Sequence, residues 1–593
     1  MRQPFENYRT SLQERLRNFL SPQGGLFLFA VVLLPALFVR HAASIPFGPD
    51  EAGLFTRAAI LLSVLLVLLA VCTLDPKSIP LPASTCFIVC GIIGIRMLDY
   101  NVFRHLAEAA EMTDKTAAIL LASRMILTIC FLLGLLLIGV GIAWQTHAPV
   151  ENFFLAMAIP LSIIFLLLFV PWSQPDTQSH MRAVYRLSNM LLGYPEEDLW
   201  MGRKEDCDFL KNVWSTLKNP SLADYLDLQN NFHIRCSSSE PAPLPEPEER
   251  MAFYSLVNYL PQVLGFTLGR LLGLGTVLSI YFGRIAILLF YIIVIYRDIK
   301  KIPAGKWILA TVALLPMSLM MSSAISYDTM VIIASLSFLT CVLRLLNERG
   351  SKTAYMEALI WTFVLGAVKG GGYLVLLPLA FVLFDRERKK ESLRAIGGLL
   401  ACGLVSILLF DVLLAPGTAF QFGTAGGDRL SAAFALQHPL TYLDMATTSY
   451  LRLFDRLAIN TGGTWLAWLE ETIPYAPVVL FMLVGGIEAI FERDEIQLKE
   501  GCKWLCVLII LLGLVTTPAM LLSWTQPGMD FIDGMQGRYF LPLLPLFYYA
   551  VTKFALHTPD RQNGEEITGK GVYWMAGLSC LFVYYLLALY LTR

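Results

Sequence analysis

The chain has 593 residues, of which 56% are hydrophobic and only 15% charged, with a formal net charge of -1. An ordinary soluble domain carries roughly 25% charged residues, and a nucleic-acid-binding protein advertises itself by a basic surplus. The composition therefore argues against both classes and for an all-α polytopic membrane protein built from repeated apolar runs near membrane-spanning length.

In chain order, residues 4–20 place Phe5, Tyr8, Leu12, Leu16, Phe19 and Leu20 roughly on one helical face and Arg9, Arg15 and Arg17 on the other. This reads as an interfacial amphipathic helix on the inner membrane surface, with residues 1–25 as its unit. A signal peptide ending near Ala42 and Ala43 is the alternative, but the polar lead is long for one. Apolar segments follow at 26–43, 59–74, 83–99, 117–143, 153–172, 274–296, 307–323, 329–346, 355–368, 373–385, 396–415, 475–491, 503–522, 539–556 and 572–591. They predict about 13 to 15 spans, with 26–152 as an additional N-terminal membrane region and 153–593 as the core. The segments on either side of Lys369 are short, which predicts a tilted or broken helix there.

Lysine and arginine concentrate in Arg2 to Arg17, Arg297 to Lys306, Arg344 to Lys352, Arg386 to Arg394 and Arg493 to Lys503. All fall on one side of the membrane if the N-terminus is cytoplasmic. Two long loops, 173–257 and 416–474, then lie outside. Cys207 and Cys236 share the first and, in an oxidising compartment, are placed to form a disulfide. The other cysteines mostly lie in apolar runs, and the eleven include no CxxC pair and no Cys/His set at zinc spacing. No cofactor is expected, and no motif points to a divalent metal. The stretch Ser237 to Arg250, SSSEPAPLPEPEER, reads as an extended surface linker. Tyr254 to Gly273, interrupted by Pro261, reads as a re-entrant or interfacial helix.

Ionisable residues near a membrane are costly and usually have partners or work to do. Five such places lie on the outer side. Asp176, His180 and Arg182 follow directly on the apolar run 153–172, and the first two share a face if the segment is helical; the plain alternative is a polar cap ending the span. Asp50 and Glu51 read as an acid-base pair, with a loop turn as the plain alternative. Asp328, in SAISYDT, begins a span, and a helix N-terminal carboxylate is its plain reading. Lys369 sits in AVKGGGYL, where glycines let backbone approach a ligand and an ammonium can pair with phosphate; a snorkelling lysine is the alternative. Arg538, in GMQGRYFLPLLP with Gln536 and Tyr539, offers a planar fork to phosphate or carboxylate; an interfacial Arg/Tyr belt competes.

QPDTQSHMRAVYRLSN (Gln174 to Asn189) resembles the P-D-E-x-x-H-x-x-R signature of a bacterial family of polytopic membrane proteins, largely of unknown function and similar to the GT-C glycosyltransferases. Further similar stretches follow in the family's order: YSLVNYLPQVLG, SSAISYDT, VKGGGYLVLLPL, FALQHPLTYL and MQGRYFLPLLP. The resemblance runs from about residue 170 to the end. The motif's glutamate is Thr177 here, which leaves any acid role it has in relatives to another residue, Glu51 being one candidate.

The resemblance implies a GT-C fold and a sugar donor linked to polyprenyl phosphate. It also implies a catalytic aspartate in the first outer loop of the core, where Asp176 stands. The expected reaction is inverting transfer to an extracytoplasmic glycan or lipid acceptor at a bacterial inner membrane. Asp176 would be general base, with His180 orienting it or contacting substrate. Lys369 and Arg538 would hold phosphate, with Gln536 and Tyr539 beside them and Asp328 and Arg182 in support. A transporter or flippase for a lipid-linked glycan, or a polymerase or ligase using diphosphate-linked substrates, is the alternative. Partners are then the donor, the acceptor and membrane lipids, with no nucleic acid.

Overall fold

The computed structural model describes residues 17–42, 49–75, 77, 79–97, 115–214, 220–238, 240–245, 255–413, 429–468, 471–555 and 571–591. Most of the interfacial helix expected over 4–20 lies outside them, as do the side chains of Asp50 and Glu51, whose backbone opens a helix. Four N-terminal helices come first: α1 (Pro22–Ala42), α2 (Pro49–Thr73), α3 (Leu81–Met97) and α4 (Lys115–Gln145). α5 (Val150–Leu168) leads into α6 (Thr177–Leu191). The first long loop then carries α7 (Lys204–Trp214), α8 (Leu222–Asn230) and α9 (Leu256–Leu271).

The central bundle continues with α10 (Thr276–Lys301), α11 (Lys306–Leu314), α12 (Pro316–Ser322), α13 (Asp328–Asn347), α14 (Lys352–Ala367) and α15 (Lys389–Ile407). After the second long loop, with α16 (Ala432–Gln437), α17 (Pro439–Arg452) and α18 (Phe454–Ala458), come α19 (Tyr475–Phe491) and α20 (Glu500–Met520). The short α21 (Leu544–Tyr548) and α22 (Gly571–Leu591) complete the described elements.

Among the described residues eight helices are long and apolar enough to cross a membrane, and four shorter apolar helices accompany them. The chain is an all-α multi-pass membrane protein. Several of the apolar runs expected as spans are broken. The run 307–323 splits at Leu315–Pro316, where proline starts a new helix at its first position. The run 373–385 is a tight 3-10 helix, Leu374–Leu383. The run 539–556 divides into the 3-10 turn Gly537–Leu543, α21 and a wider turn Tyr549–Ala555.

α13 is buried along nearly its whole length, so it is the axis of the core. α22 is also largely buried and packs against α3, α4, α5 and α19, tying the N-terminal helices to the core. α9 is continuous through Pro261. It exposes Leu256, Leu260, Leu264, Leu268 and Leu271 at mostly four-residue spacing and buries Asn258, Tyr259, Gln262 and Phe266. That pattern fits an amphipathic helix with one apolar and one polar-core face.

In the first long loop, Met201–Arg203 (β1) pairs antiparallel with Pro241–Pro243 (β2), so part of the expected linker is a strand. The expected disulfide is absent. Cys207 and Cys236 are both free thiols; the first is buried 3.5 Å from the Ala242 carbonyl and the second lies 3.1 Å from the Ser238 carbonyl.

Topology gathers the described basic loops, those at 297–306, 344–352, 386–394 and 493–503, on one face. Lys301 at the end of α10 pairs with Glu357 near the start of α14 at 2.9 Å, and Arg344 near the end of α13 reaches the same carboxylate at 2.8 Å. The opposite face receives the start of α13, the end of α14, the end of α5 and the segment after α20. Those four chain ends carry Asp328, Lys369, Asp176 and Arg538.

A candidate active site at the head of the central helix

Asp176 precedes the first residue of α6 and adopts the left-handed backbone conformation, with φ 62°. Aspartate tolerates this region better than most residues, and the geometry turns the chain sharply from α5 into α6. Its side chain makes no cap hydrogen bond. It accepts one instead from Arg538 Nη2 at 3.2 Å.

Asp328 is the first residue of α13, as the N-terminal reading anticipated, but its carboxylate does more than face a helix end. Oδ1 accepts from Lys369 Nζ at 2.9 Å, while Oδ2 lies 3.2 Å from Arg538 Nη1. Arg538 thus bridges the two carboxylates with its two terminal nitrogens, the use of a planar fork that lysine cannot reproduce.

Lys369 is held by strain and by a backbone bond. It has φ 48°, followed by Gly370 at 60° and Gly371 at 69°, so α14 stops and the chain reverses through a left-handed turn. Its amide donates to Asn258 Oδ1 of α9 at 2.9 Å. The ammonium lies over the rings of Tyr539 at 4.4 Å and Tyr327 at 5.0 Å, a cation-π arrangement that favours a desolvated cation. The snorkelling alternative is therefore set aside: this lysine is buried and points inward. Arg538 is also buried and lies 5.3 Å over Tyr539, whose carbonyl accepts from Tyr373. Gly537 is required beside it. A Cβ there would come within 2.6 Å of the Asn460 and Thr461 backbone.

His180 sits one turn into α6, almost fully buried. Its Nδ1 is 2.8 Å from the Tyr259 hydroxyl and its Nε2 is 3.4 Å from Ser326 Oγ, which also accepts the Asp328 amide at 3.1 Å. Burial pushes its pKa down to about 4, against the opposing pull of Asp176 and Asp328. His180 is neutral near pH 7, which suits a positioning group between α6, α9 and α13.

The cluster's side-chain exposure rises from 4% at Arg538 through 10% at Asp328 and 11% at Lys369 to 25% at Asp176. Asp176 is therefore the most exposed member of the cluster and Arg538 the deepest. Two carboxylates and two cations cancel, so the cluster is neutral as a whole. Some hydrogen-bonding capacity is left unused: Gln536 Oε1 and Arg538 Nε are buried without partners, as is the whole Gln174 amide two residues before Asp176. Buried groups of this kind are rare and call for an explanation such as a ligand or water.

Of the residues expected in the site, Asp176, His180, Asp328, Lys369, Arg538 and Tyr539 are brought together. Arg182 is not among them. Two residues beyond His180 it faces the other side of α6, with its guanidinium 4.4 Å over the Trp200 ring. Thr177 hydrogen-bonds back to the Gln174 carbonyl at 2.6 Å. Sequence reasoning missed Asn258, Tyr259, Ser326, Tyr327 and Tyr373. The signal for the first two was present as polar residues on one side of an otherwise leucine-rich helix.

The family described as "Predicted membrane protein (DUF2142)" matches residues 161–547. The chain belongs to this family. The DUF2142 match starts within α5, contains every residue of the ion cluster and ends within α21, so α1 to α4 and α22 lie outside it. It also stops short of the chain end to which the resemblance was expected to run. No curated protein matches the chain, and no solved structure matches it. Among the described residues no three of His, Cys, Asp and Glu converge as metal ligands do.

Proposed function

We propose that this DUF2142 protein is a GT-C-type glycosyltransferase, moving a sugar from a polyprenyl-phosphate donor to a cell-envelope glycan or lipid acceptor. The observation that carries the reading is Arg538 bridging Asp176 and Asp328 beside Lys369. Such a cluster can exchange partners. A donor phosphate entering from the membrane takes the place of the carboxylates at Arg538 and Lys369, and charge-assisted bonds to phosphate are strong enough for that exchange.

Asp176, the most exposed member of the cluster, is then released from Arg538 to meet the acceptor. It takes the proton of the attacking hydroxyl as the new glycosidic bond forms and the bond from sugar to phosphate oxygen breaks. The cations stabilise the charge that builds on the departing phosphate. Neutral His180 fixes α6, and hence Asp176, through Tyr259 and Ser326. Tyr539 and Gln536 line the phosphate end. In this reading the protein resides in a bacterial inner membrane with its N-terminus cytoplasmic and the site facing outward.

The test is a transfer assay on purified protein in nanodiscs, with a panel of radiolabelled polyprenyl-phosphate sugars and extracted envelope glycan. Label should pass to glycan with the wild type. Failure of every donor, with labelled lipid crossing a liposome bilayer instead, would replace transfer by transport.

A further inference from the structure

A second site lies at the other end of α13. That helix has 20 residues, about 30 Å at the rise of an α-helix, so its two ends, at Asp328 and Asn347, lie about a membrane thickness apart. There the α13–α14 turn and the turn before α15 enclose a cavity of about 280 Å³. Its rim carries Arg349, Lys352, Arg388 and Arg394 against two acids, Asp385 and Glu391.

The two acids are already engaged. Arg349 pairs with Asp385, which staples the two turns together, and Arg388 lies 4.0 Å from Glu391. Lys352 and Arg394 are exposed and, among the described residues, have no acidic partner within ion-pair distance. The floor beneath them is apolar, with Leu345, Leu383 and Tyr355. Leu393, Phe384 and Met356, next to lining residues in the chain, expose large apolar side chains to the bundle's surroundings.

We infer that this cavity binds the headgroup of an anionic phospholipid from the leaflet opposite the candidate active site. Charge complementarity selects the occupant: two uncommitted cations face a phosphodiester, while the apolar floor and the neighbouring leucine and phenylalanine side chains take the start of the acyl chains. Basic pockets between membrane helices recognise lipid headgroups by this combination. A soluble phosphate compound would gain nothing from the apolar floor. The inference does not depend on the glycosyltransferase reading, since no residue is shared.

The test is native mass spectrometry of the full chain with short-chain phosphatidylglycerol and phosphatidylcholine. The wild type is compared with Lys352→Gln/Arg394→Gln and with Lys389→Gln/Lys390→Gln. The second pair lies in the same basic run and is exposed but does not line the cavity. The expected result is retention of the anionic lipid over the zwitterionic one by the wild type. The first variant should bind it about ten- to thirtyfold more weakly, and the second should bind as the wild type does. Equal loss in both variants would mean only a generally basic face. No preference for the anionic lipid, or its displacement by inorganic phosphate, would also overturn the assignment.

Discussion

Two buried ion clusters lie at opposite faces of the bundle, and they use their groups differently. On the face with the basic loops, Lys553 meets Asp494 at 2.8 Å and Glu492 at 3.5 Å. These groups are also tied to backbone: Asp494 accepts the Gly305 amide at 2.9 Å, Glu492 the Trp307 amide at 3.3 Å, and Lys553 donates to the Ala489 carbonyl at 2.8 Å. This cluster clamps the α10–α11 turn to the end of α19. At the head of α13 the pairing runs from side chain to side chain, two of the four ionic residues hold left-handed backbone, and buried polar atoms remain unpartnered. A clamp spends its hydrogen bonds on neighbouring elements. A binding site keeps some in reserve and stores strain where a ligand must be met.

The sharpest way to break this contrast is a matched pair of substitutions. Asp176→Asn keeps a residue that tolerates the left-handed backbone and should lower transfer by about 10² to 10⁴-fold, the usual worth of a general base. Asp494→Asn should lower the thermal midpoint and leave turnover per folded molecule unchanged. Similar turnover losses in both would erase the distinction. Next in size, Lys553→Met leaves buried Glu492 and half-buried Asp494 without their cation and should cost about 3 to 5 kcal/mol of stability, read by thermal unfolding in nanodiscs.

The two regions also carry opposite pH signs. His180 has a depressed folded pKa of about 4, so the unfolded chain binds its proton first and stability falls as pH drops from about 6.5 towards 4. Glu492 is raised to about 7 by burial, against the opposing pull of Lys553. Its contribution is present at low pH and is lost as pH rises from the ordinary glutamate range towards 7. Each window is worth about 3 kcal/mol. His180→Gln should flatten the acid-side loss and Glu492→Gln the loss towards neutral pH, in thermal midpoints measured across pH 4 to 8. The smallest effect is expected for Gly537→Ala. Its Cβ meets backbone that cannot yield easily, at about 1 to 3 kcal/mol, and activity should fall further than stability because Arg538 is displaced with it.

The outline of the site was readable in the sequence because its ionic residues are rare interruptions of apolar runs. Asp328, Lys369 and Arg538 each stand beside such a run, and the glycines after Lys369 signalled the break in the chain. Their mutual pairing was not readable, since Asp176 and Arg538 are 362 residues apart and nothing local specifies contact at that distance. Tyr259 and Asn258 were passed over for a different reason: their segment was read as re-entrant, so the polar side opposite its leucine face was not taken as facing inward. The breaks within the apolar runs were not readable, because hydropathy registers apolar content while Pro316 and Gly370 decide where a helix stops. Arg182 shared the motif but not the site, since helical phase turns it towards Trp200.

The claim at the centre of this account is that Arg538 exchanges Asp176 for a phosphate. It is tested most directly by titrating a short-chain polyprenyl phosphate into wild-type protein and Asp176→Asn in nanodiscs, with transfer measured on the same samples. Loss of the competing carboxylate should leave phosphate binding as tight as in the wild type or tighter, while sugar transfer falls by about 10² to 10⁴-fold. Weakened binding together with undiminished transfer would contradict the account.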